Sequence, residues 1–382
     1  MFEYIIIGAG LAGSVIAEQI SNVLNKKVMI IENRDHIGGN CYDYPYKNGI
    51  IIHKYGPHIF HTESKEVWDY ISKFTQWYHY IHYVLGHIDG KNVPIPFNLN
   101  TLNELFSKDE AEDLTEKLIQ KFGNDVKIPI LELRKIDDRN IQALADFIYQ
   151  KVFLNYTRKQ WEMEPEELDH SVMTRVPVYI SKDNRYFQDK YQGMPRDGYT
   201  KLFKNLLSNE NIKILMNTNF KEIIKVNLDK NEIYLGENKF NGKLIYTGKI
   251  DEFFDYKFGE LPYRSLKFDF KTLNKEYFQE VGTVNYPNDH DFTRITEFKY
   301  LTGKKSSKTI ILTEYPQKYN KNKNIPYYPI PQKENLKLYQ KYKMEAKKFD
   351  NVIFLGRLAE YQYYNMDEVI EKALKVFKEK II

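Results

Sequence analysis

An apolar run at the start of the chain, Tyr4 to Ile7, gives way to the glycine-rich segment GAGLAG, Gly8 to Gly13, after which Ser14, Val15, Ile16, Ala17 and Ile20 continue at helical spacing. That pattern predicts a strand, a tight turn and a helix. A second apolar run, Val28 to Ile31, ends on Glu32 and leads into NRDHIGGN, with the pair Gly38 and Gly39. A parallel βαβ unit is the simplest arrangement of these pieces. Farther along, Ser107 and Glu110 form a capping box ahead of Leu114, Leu118, Ile119 and Phe122, and Gly123 closes the helix. With a second helical stretch from about Asn140 to Leu154, the middle of the chain reads as an all-helical insertion. Thr283 to Asn285, Phe292 to Phe298 and Lys308 to Tyr315 read as strands of an antiparallel sheet, with the polar TGKKSSK as a hairpin loop. The end of the chain returns to the opening pattern. An apolar run, Val352 to Leu355, is followed by Gly356, Arg357 and an amphipathic helix through Val369, Ile370, Ala373, Leu374, Val376 and Phe377.

Composition narrows the class. The chain has 382 residues, 42% hydrophobic and 28% charged, which is globular and, at about 100 to 200 residues per domain, implies two or three domains. Lysine plus arginine is 56 against 52 for aspartate plus glutamate, and a net charge of +4 over this length does not call for nucleic acid. A single cysteine, Cys41, forms no internal disulfide, so the chain reads as cytoplasmic. The longest apolar stretch, Tyr4 to Ala17, is broken by three glycines and stops at Glu18, too short for a membrane span. Glu3 and the lack of a positive residue before that stretch argue against a signal peptide. Tyrosine, at 31 residues, is abundant, but aromatic side chains usually fill cores, so each candidate tyrosine needs its own argument.

The glycines of GAGLAG have distinct duties in a dinucleotide site. Gly8 permits the tight turn, Gly10 lets a phosphate approach the backbone, Gly13 lets helix pack on strand, and Leu11 opens the helix whose N-terminus attracts the pyrophosphate. Glu32, nineteen residues past Gly13, is placed to accept ribose hydroxyls. The Gly38–Gly39 pair with Asn40 resembles the extended signature of FAD-binding proteins of the glutathione-reductase and amine-oxidase type. Gly356 and Arg357, with Asn365 and Met366 at the start of the last helix, resemble the second flavin contact of the same families; Asn365 and Glu368 form a capping pair. His58 and His61 are spaced for a metal pair, but with no acidic or cysteine partner nearby no metal is expected.

A third set of segments occurs in order along the chain: HKYGPHIFHT (His53 to Thr62), NYTRKQW (Asn155 to Trp161), RVPV (Arg175 to Val178), NRYFQDKYQGMPRDGYTKL (Asn184 to Leu202), TGKID (Thr247 to Asp251), LPYRSLKF (Leu261 to Phe268), FTRITE (Phe292 to Glu297), YYP (Tyr327 to Pro329) and GRLAEYQYYNMDEVI (Gly356 to Ile370). Together they resemble bacterial UDP-galactopyranose mutase, over residues 1 to about 375. The resemblance implies an α/β (α+β) fold in three parts. Residues 1–75, 200–250 and 345–382 would form a discontinuous FAD-binding Rossmann-like domain, residues 99–150 a helical insertion, and residues 76–98, 151–199 and 251–344 an antiparallel β-sheet substrate domain.

It also implies interconversion of UDP-galactopyranose and UDP-galactofuranose without net redox. Reduced FAD attacks the anomeric carbon, UDP departs, and the sugar ring opens and recloses. Arg175 and Arg294 match the arginines that clamp the pyrophosphate, since the departing anion needs fixed cations. Tyr186, Tyr328 and Tyr363 match tyrosines on the phosphates, Tyr156 the aromatic that stacks on uracil, and Trp161 the sugar-side wall. Arg357 matches the residue that stabilises the reduced, anionic flavin, and His58 and His61 fall where histidines meet the isoalloxazine. Further expectations are an electron donor such as NAD(P)H or a reductase, and a homodimer.

Two positions depart from the family. Asn365 stands where aspartate is usual, and His82 where asparagine is common near the substrate phosphates; His82 would be either a titratable cation there or part of the cleft wall. Lys249 replaces a residue that is commonly proline. Two rival functions remain: an oxidoreductase of the amine-oxidase or desaturase type, which needs an apolar or amine-binding cavity, and a flavoprotein that binds nucleotide sugar as a sensor. Tolerance of an N-acetylated sugar depends on cleft shape at the second sugar carbon.

Overall fold

The computed structural model describes residues 2–168, 176–321 and 323–382. Five strands, Ile212–Leu215, Val28–Ile31, Tyr4–Ile7, Lys243–Tyr246 and Val352–Phe354, lie side by side in that order and all run parallel. Both faces of this sheet are covered. Ile6, Ile30 and Ile245 join helices Leu11–Val23, Tyr199–Leu206 and Met366–Val376 in one core, whereas Ile5, Ile7, Ile31, Leu244 and Tyr246 pack on Phe253, Phe254, Tyr342 and Phe349 in another. Double coverage explains why these strands read as continuous apolar runs and not as alternating ones.

The turn after the first strand needs its glycines for different reasons. Gly8 adopts φ +99°, a conformation that side chains disfavour, and Gly13 faces the Gly8 carbonyl so closely that a Cβ would lie 2.1 Å from its oxygen. Helix Leu11–Val23 therefore seats directly on the strand. Gly8, Glu32, Thr247 and, one residue on, Gly356 follow the carboxyl ends of four of the five strands. In open parallel sheets that edge is where ligands bind.

A second sheet has seven strands: Tyr328–Pro329, Tyr263–Leu273, Thr309–Lys318, Arg294–Glu297, Thr283–Asn285, Val84–Ile88 and Lys91–Ile95. It is antiparallel except where Thr283–Asn285 runs parallel to Val84–Ile88, a departure from the purely antiparallel sheet expected. The connection expected as a plain hairpin loop opens instead with helix Phe298–Thr302, because Phe298 and Leu301 turn into the main core.

The insertion is not all helical. Helices Leu99–Leu105, Lys108–Phe122, Ile130–Leu133 and Arg139–Ile148 surround their own apolar core, but strand Val126–Ile128 pairs with Val178–Ile180 and closes it. The predicted cap is present, Ser107 N–H donating to Glu110 Oε2 at 3.2 Å. Asp138 caps the later helix by accepting from the backbone of Asn140 and Ile141. That helix does not stop at Leu154: a π-helical turn, Tyr149–Leu154, carries it into Asn155–Trp161. Among the described residues no helix is long and apolar enough to cross a membrane.

Gly13→Ala is expected to lower the thermal unfolding temperature by a few degrees and to weaken dinucleotide binding, since overpacking of this kind costs about 1–3 kcal/mol. Circular dichroism melts and the cofactor content of the purified variant check both effects.

Candidate active site

Three glycine-bearing segments meet at the carboxyl edge of the parallel sheet. Gly38 N–H donates to the Ala9 carbonyl at 2.9 Å. A Cβ on Gly39 would stand 2.9 Å from Gly10 Cα, and one on Gly356 would stand 3.2 Å from Ala12 Cβ. Glu32 is buried beside them, Oε2 accepting from Ala9 N–H at 2.7 Å and Oε1 from Arg34 N–H at 2.9 Å. Those two bonds fix the carboxylate and leave lone pairs on both oxygens. Arg34 lies 4.5 Å over the Tyr55 ring and donates Nη2 to Asn40 Oδ1 at 3.0 Å, while its buried Nη1 has no hydrogen-bond partner among the described residues. An orphaned buried donor beside a cradle that side chains would fill is what a dinucleotide requires. Helices Leu11–Val23 and Met366–Val376 both begin here, with Gly10 and Asn365 at their N-caps. Asn365 N–H donates to Glu368 Oε2 at 2.5 Å, and Met366 Sδ is 3.6 Å from Cys41 Sγ.

The seven-stranded sheet contributes the charges. Arg294 and Glu314 are cross-strand partners, with Nε 2.8 Å from Oε1. Glu314 is buried, and Arg294 is its ion-pair partner. Burial pushes the Glu314 carboxyl up, and Arg294 pulls it back. Burial also works against the Arg294 charge, but Glu314, Tyr156 and Tyr328 outweigh it and hold the guanidinium protonated. Arg294 Nε and both Glu314 carboxylate oxygens are buried, while 29% of the Arg294 side chain remains exposed. Strand Thr309–Lys318 begins with six consecutive buried residues, Thr309 to Glu314. A glutamate ending such a run signals a buried partner, and that signal was present in the sequence but unused.

Aromatic rings link this charge to the glycine segments. Trp161 is 6.1 Å from Tyr328, Tyr328 stacks on Tyr363 at 5.4 Å, and the Arg357 guanidinium lies 4.6 Å above Tyr363. Arg357 is oriented by its Nη2 bond to the Tyr364 carbonyl at 2.5 Å. Burial raises the phenol pKa of both Tyr156 and Tyr328, and Arg294 partly offsets each shift. Both phenols are therefore protonated donors at neutral pH.

The histidines divide by partner. His53 is buried, and its Nδ1 accepts from His58 N–H at 3.0 Å. His58 Nδ1 in turn donates to the Gly56 carbonyl at 2.8 Å. Burial pushes both imidazoles down to about 3, so His58 is neutral and its Nε2 is an acceptor. His61 stacks on Phe187 at 3.6 Å, with Nδ1 3.2 Å from Asp189 Oδ2. His82 is buried, 3.0 Å from the Tyr80 hydroxyl through Nδ1 and 5.6 Å from the Tyr186 ring. Burial, then Arg294 and His61, push His82 down to about 3, which leaves the imidazole neutral and not a cation. His58 and His61 have separate partners, and among the described residues no three His, Cys, Asp or Glu are grouped for a metal ion.

Arg294, Arg357, Tyr156, Trp161, Tyr328 and Tyr363 thus form one connected set, with Tyr186, His82 and His61 joined to one another through Phe187. Arg175 lies outside the described residues. Residues the sequence reading missed are Glu314, Phe187 and Tyr80, together with Lys159, whose Nζ donates to the Tyr286, Asn288 and Phe292 carbonyls.

Comparison with known proteins adds the following. The UDP-galactopyranose mutase family model matches residues 151–363, and an NAD(P)-binding Rossmann-like domain model matches residues 6–74. The chain is 36% identical to a dTDP-fucopyranose mutase of Escherichia coli, over 98% of this chain and 97% of that one. It is 37% identical to a UDP-galactopyranose mutase of Mycoplasma genitalium, over 98% and 93% respectively. A solved structure of reduced UDP-galactopyranose mutase shares the fold with a TM-score of 0.74 at 15% identity, covering 100% of this chain and 94% of that one. A putrescine oxidase variant shares it at 0.60 and 10% identity, with 99% and 98% covered. At these identities the two structures speak to fold alone.

Three buried imidazoles, each pushed down to about 3, contribute to the acid sensitivity of the fold. In the unfolded chain each titrates near its ordinary value of about 6.5, so at lower pH the unfolded state binds more protons and stability falls as pH drops from there toward 3. Above that value they add no pH dependence. His53→Asn should flatten the fall between about pH 4 and 5.5 by nearly one proton, or about 1.4 kcal/mol per pH unit. Denaturant unfolding at several pH values measures the slope.

Proposed function

The chain belongs to the UDP-galactopyranose mutase family, and we propose that it interconverts UDP-galactopyranose and UDP-galactofuranose on a reduced FAD. It is an isomerase of the mutase type. One observation carries the substrate reading: a permanently charged Arg294, fixed by a buried carboxylate, stands among tyrosines whose phenols stay protonated. Fixed cations and neutral donors are what a nucleoside diphosphate needs, both as bound substrate and as leaving anion.

The glycine cradle, Glu32, Arg34 and the two helix N-termini are suited to hold FAD, with Leu11, Asn40 and Met366 beside the same segments. Bound there and reduced, FAD would supply a nucleophile toward the anomeric carbon, with no net redox. Arg357, over Tyr363, places a positive charge on the cofactor side and favours an anionic group there. His58 presents a neutral acceptor, and His61 is held by Asp189 and Phe187. Arg294 holds the diphosphate while the sugar is detached, and Tyr328, Tyr363 and Tyr186 donate to its oxygens. Tyr156 stacks on the base, and Trp161 with His82 walls the sugar. Arg175 is the second diphosphate cation in this proposal, on the strength of the RVPV motif.

A dTDP-6-deoxyhexose is a second candidate substrate, because a relative of comparable identity is a dTDP-fucopyranose mutase. An amine-oxidase or desaturase function fits less well, since its cavity has no use for the Arg294–Glu314 pair. The proposal includes a cytoplasmic homodimer, supplied with electrons by NAD(P)H or a reductase. The buried lone thiol, Cys41, suits a reducing compartment.

The test is product analysis after anaerobic incubation of dithionite-reduced protein with UDP-galactofuranose, UDP-galactopyranose, its N-acetylated analogue and dTDP-fucopyranose. Conversion is expected only after reduction, with UDP-galactose turned over fastest. Bleaching of oxidised flavin by substrate, without isomerisation, would replace the mutase reading by an oxidoreductase. Arg294→Ala is expected to lower kcat/KM by about 100-fold or more, the loss typical of a donor that stabilises a developing anion.

A further inference from the structure

We infer that Arg264 is a positioning residue that sets the spacing between the helix that carries Tyr156 and Trp161 and the strand that carries Tyr328. It lies on strand Tyr263–Leu273 and is only 2% exposed. Its guanidinium meets the end of helix Asn155–Trp161: Nε donates to the Gln160 carbonyl at 2.8 Å, Nη2 to the Lys159 carbonyl at 3.3 Å, and Nη1 pairs with Glu162 Oε2 at 2.9 Å. The last carbonyls of a helix have no partner within the helix and carry the negative end of its dipole, so a buried cation is well matched to them. Glu162, just past the helix, takes φ +55°, which ends the helix where Arg264 receives it.

The same residue holds the opposite wall through its main chain. Arg264 is the cross-strand partner of Tyr328, and its carbonyl accepts from Tyr327 N–H at 2.9 Å. The side chain thus holds the helix that carries Tyr156 and Trp161, while the backbone holds the strand that carries Tyr328. Trp161 and Tyr328 lie 6.1 Å apart at this brace, with their rings tilted by 54°. A second cation pins the helix to the other side: Lys159 Nζ donates to the Tyr286 carbonyl at 2.8 Å, Phe292 at 3.3 Å and Asn288 at 3.4 Å, in the loop just before Arg294. Fixed this way, the helix has little freedom to carry Tyr156 and Trp161 away from Tyr328. Arg264 touches none of the reacting groups, so it acts on binding and not on the chemical step.

This inference rests on the nucleoside-diphosphate reading of the cleft, and the experiment separates the two. UDP binding to the oxidised holoenzyme is titrated by calorimetry for the wild type, Arg264→Lys, Arg264→Gln and Glu162→Ala, with KM, kcat, flavin absorbance and melting temperature recorded alongside. If the wild type does not bind UDP, the reading of the site fails. If it binds, Arg264→Gln should raise the UDP Kd and the substrate KM by about 10-fold or more, as for loss of a charge-assisted hydrogen bond, with kcat within about 2-fold and the flavin spectrum unchanged. Arg264→Lys, which keeps the charge but not the fork, should recover part of the loss. Should the buried substitutions not fold, Glu162→Ala at the exposed end of the brace decides, with an expected rise in KM of about 2- to 4-fold. Equal Kd and KM in every folded variant, or a fall in kcat at constant KM, would overturn the inference.

Discussion

Glu314 is a carboxylate buried opposite the Arg294 guanidinium, and the cleft is organised around the charge that this pair holds. Burying two charges costs several kcal/mol per ion unless the geometry is good, and replacing such a pair by apolar groups is often neutral or stabilising. The Arg294–Glu314 pair is therefore poor evidence for stability and good evidence for use. Its geometry depends on register. Arg294 faces Glu314 only because Arg294–Glu297 and Thr309–Lys318 pair as they do, with Thr293 N–H donating to the Glu314 carbonyl at 3.0 Å; a slip of one residue between these strands would put the two side chains on opposite faces of the sheet.

Around that charge, the two sheets supply different things. The parallel sheet ends its strands on glycines and on Glu32, which suits the rigid, polar body of a dinucleotide. The mixed sheet supplies Arg294 and Tyr328, and the helical run that leaves the insertion supplies Tyr156 and Trp161. Arg357 and Tyr363 join the two halves, since they follow the last parallel strand yet stack toward Tyr328. A reaction that needs a nucleophile from one side and an anion-holding site on the other is served by this division.

Much of the local structure was legible in the sequence. GAGLAG, Glu32 and the capping pairs Ser107–Glu110 and Asn365–Glu368 are short-range patterns, and each appears as read. What was not legible depends on partners distant in the chain. Strand Val126–Ile128 is recognisable only from its pairing with Val178–Ile180, 50 or so residues on. The parallel pairing of Thr283–Asn285 with Val84–Ile88 is likewise set by the fold, not by either segment. Strand Tyr263–Leu273 goes unread because its second half is only partly buried and lacks a clear alternation. In the site, the motif arginines and tyrosines were found through their resemblance to a family, whereas Glu314 and Arg264 emerge from burial and contacts. The neutrality of His82 follows from its surroundings, which no local pattern reveals.

The most direct test of the claim that the buried pair exists to hold a diphosphate is a calorimetric titration of UDP into the oxidised wild type and the double variant Arg294→Met/Glu314→Leu. Removing both partners avoids leaving either charge buried alone, so the variant should fold and melt at or above the wild-type temperature. Its affinity for UDP should nonetheless fall by about 100-fold, the equivalent of about 2.7 kcal/mol. A well-folded double variant that binds UDP as tightly as the wild type would contradict the account.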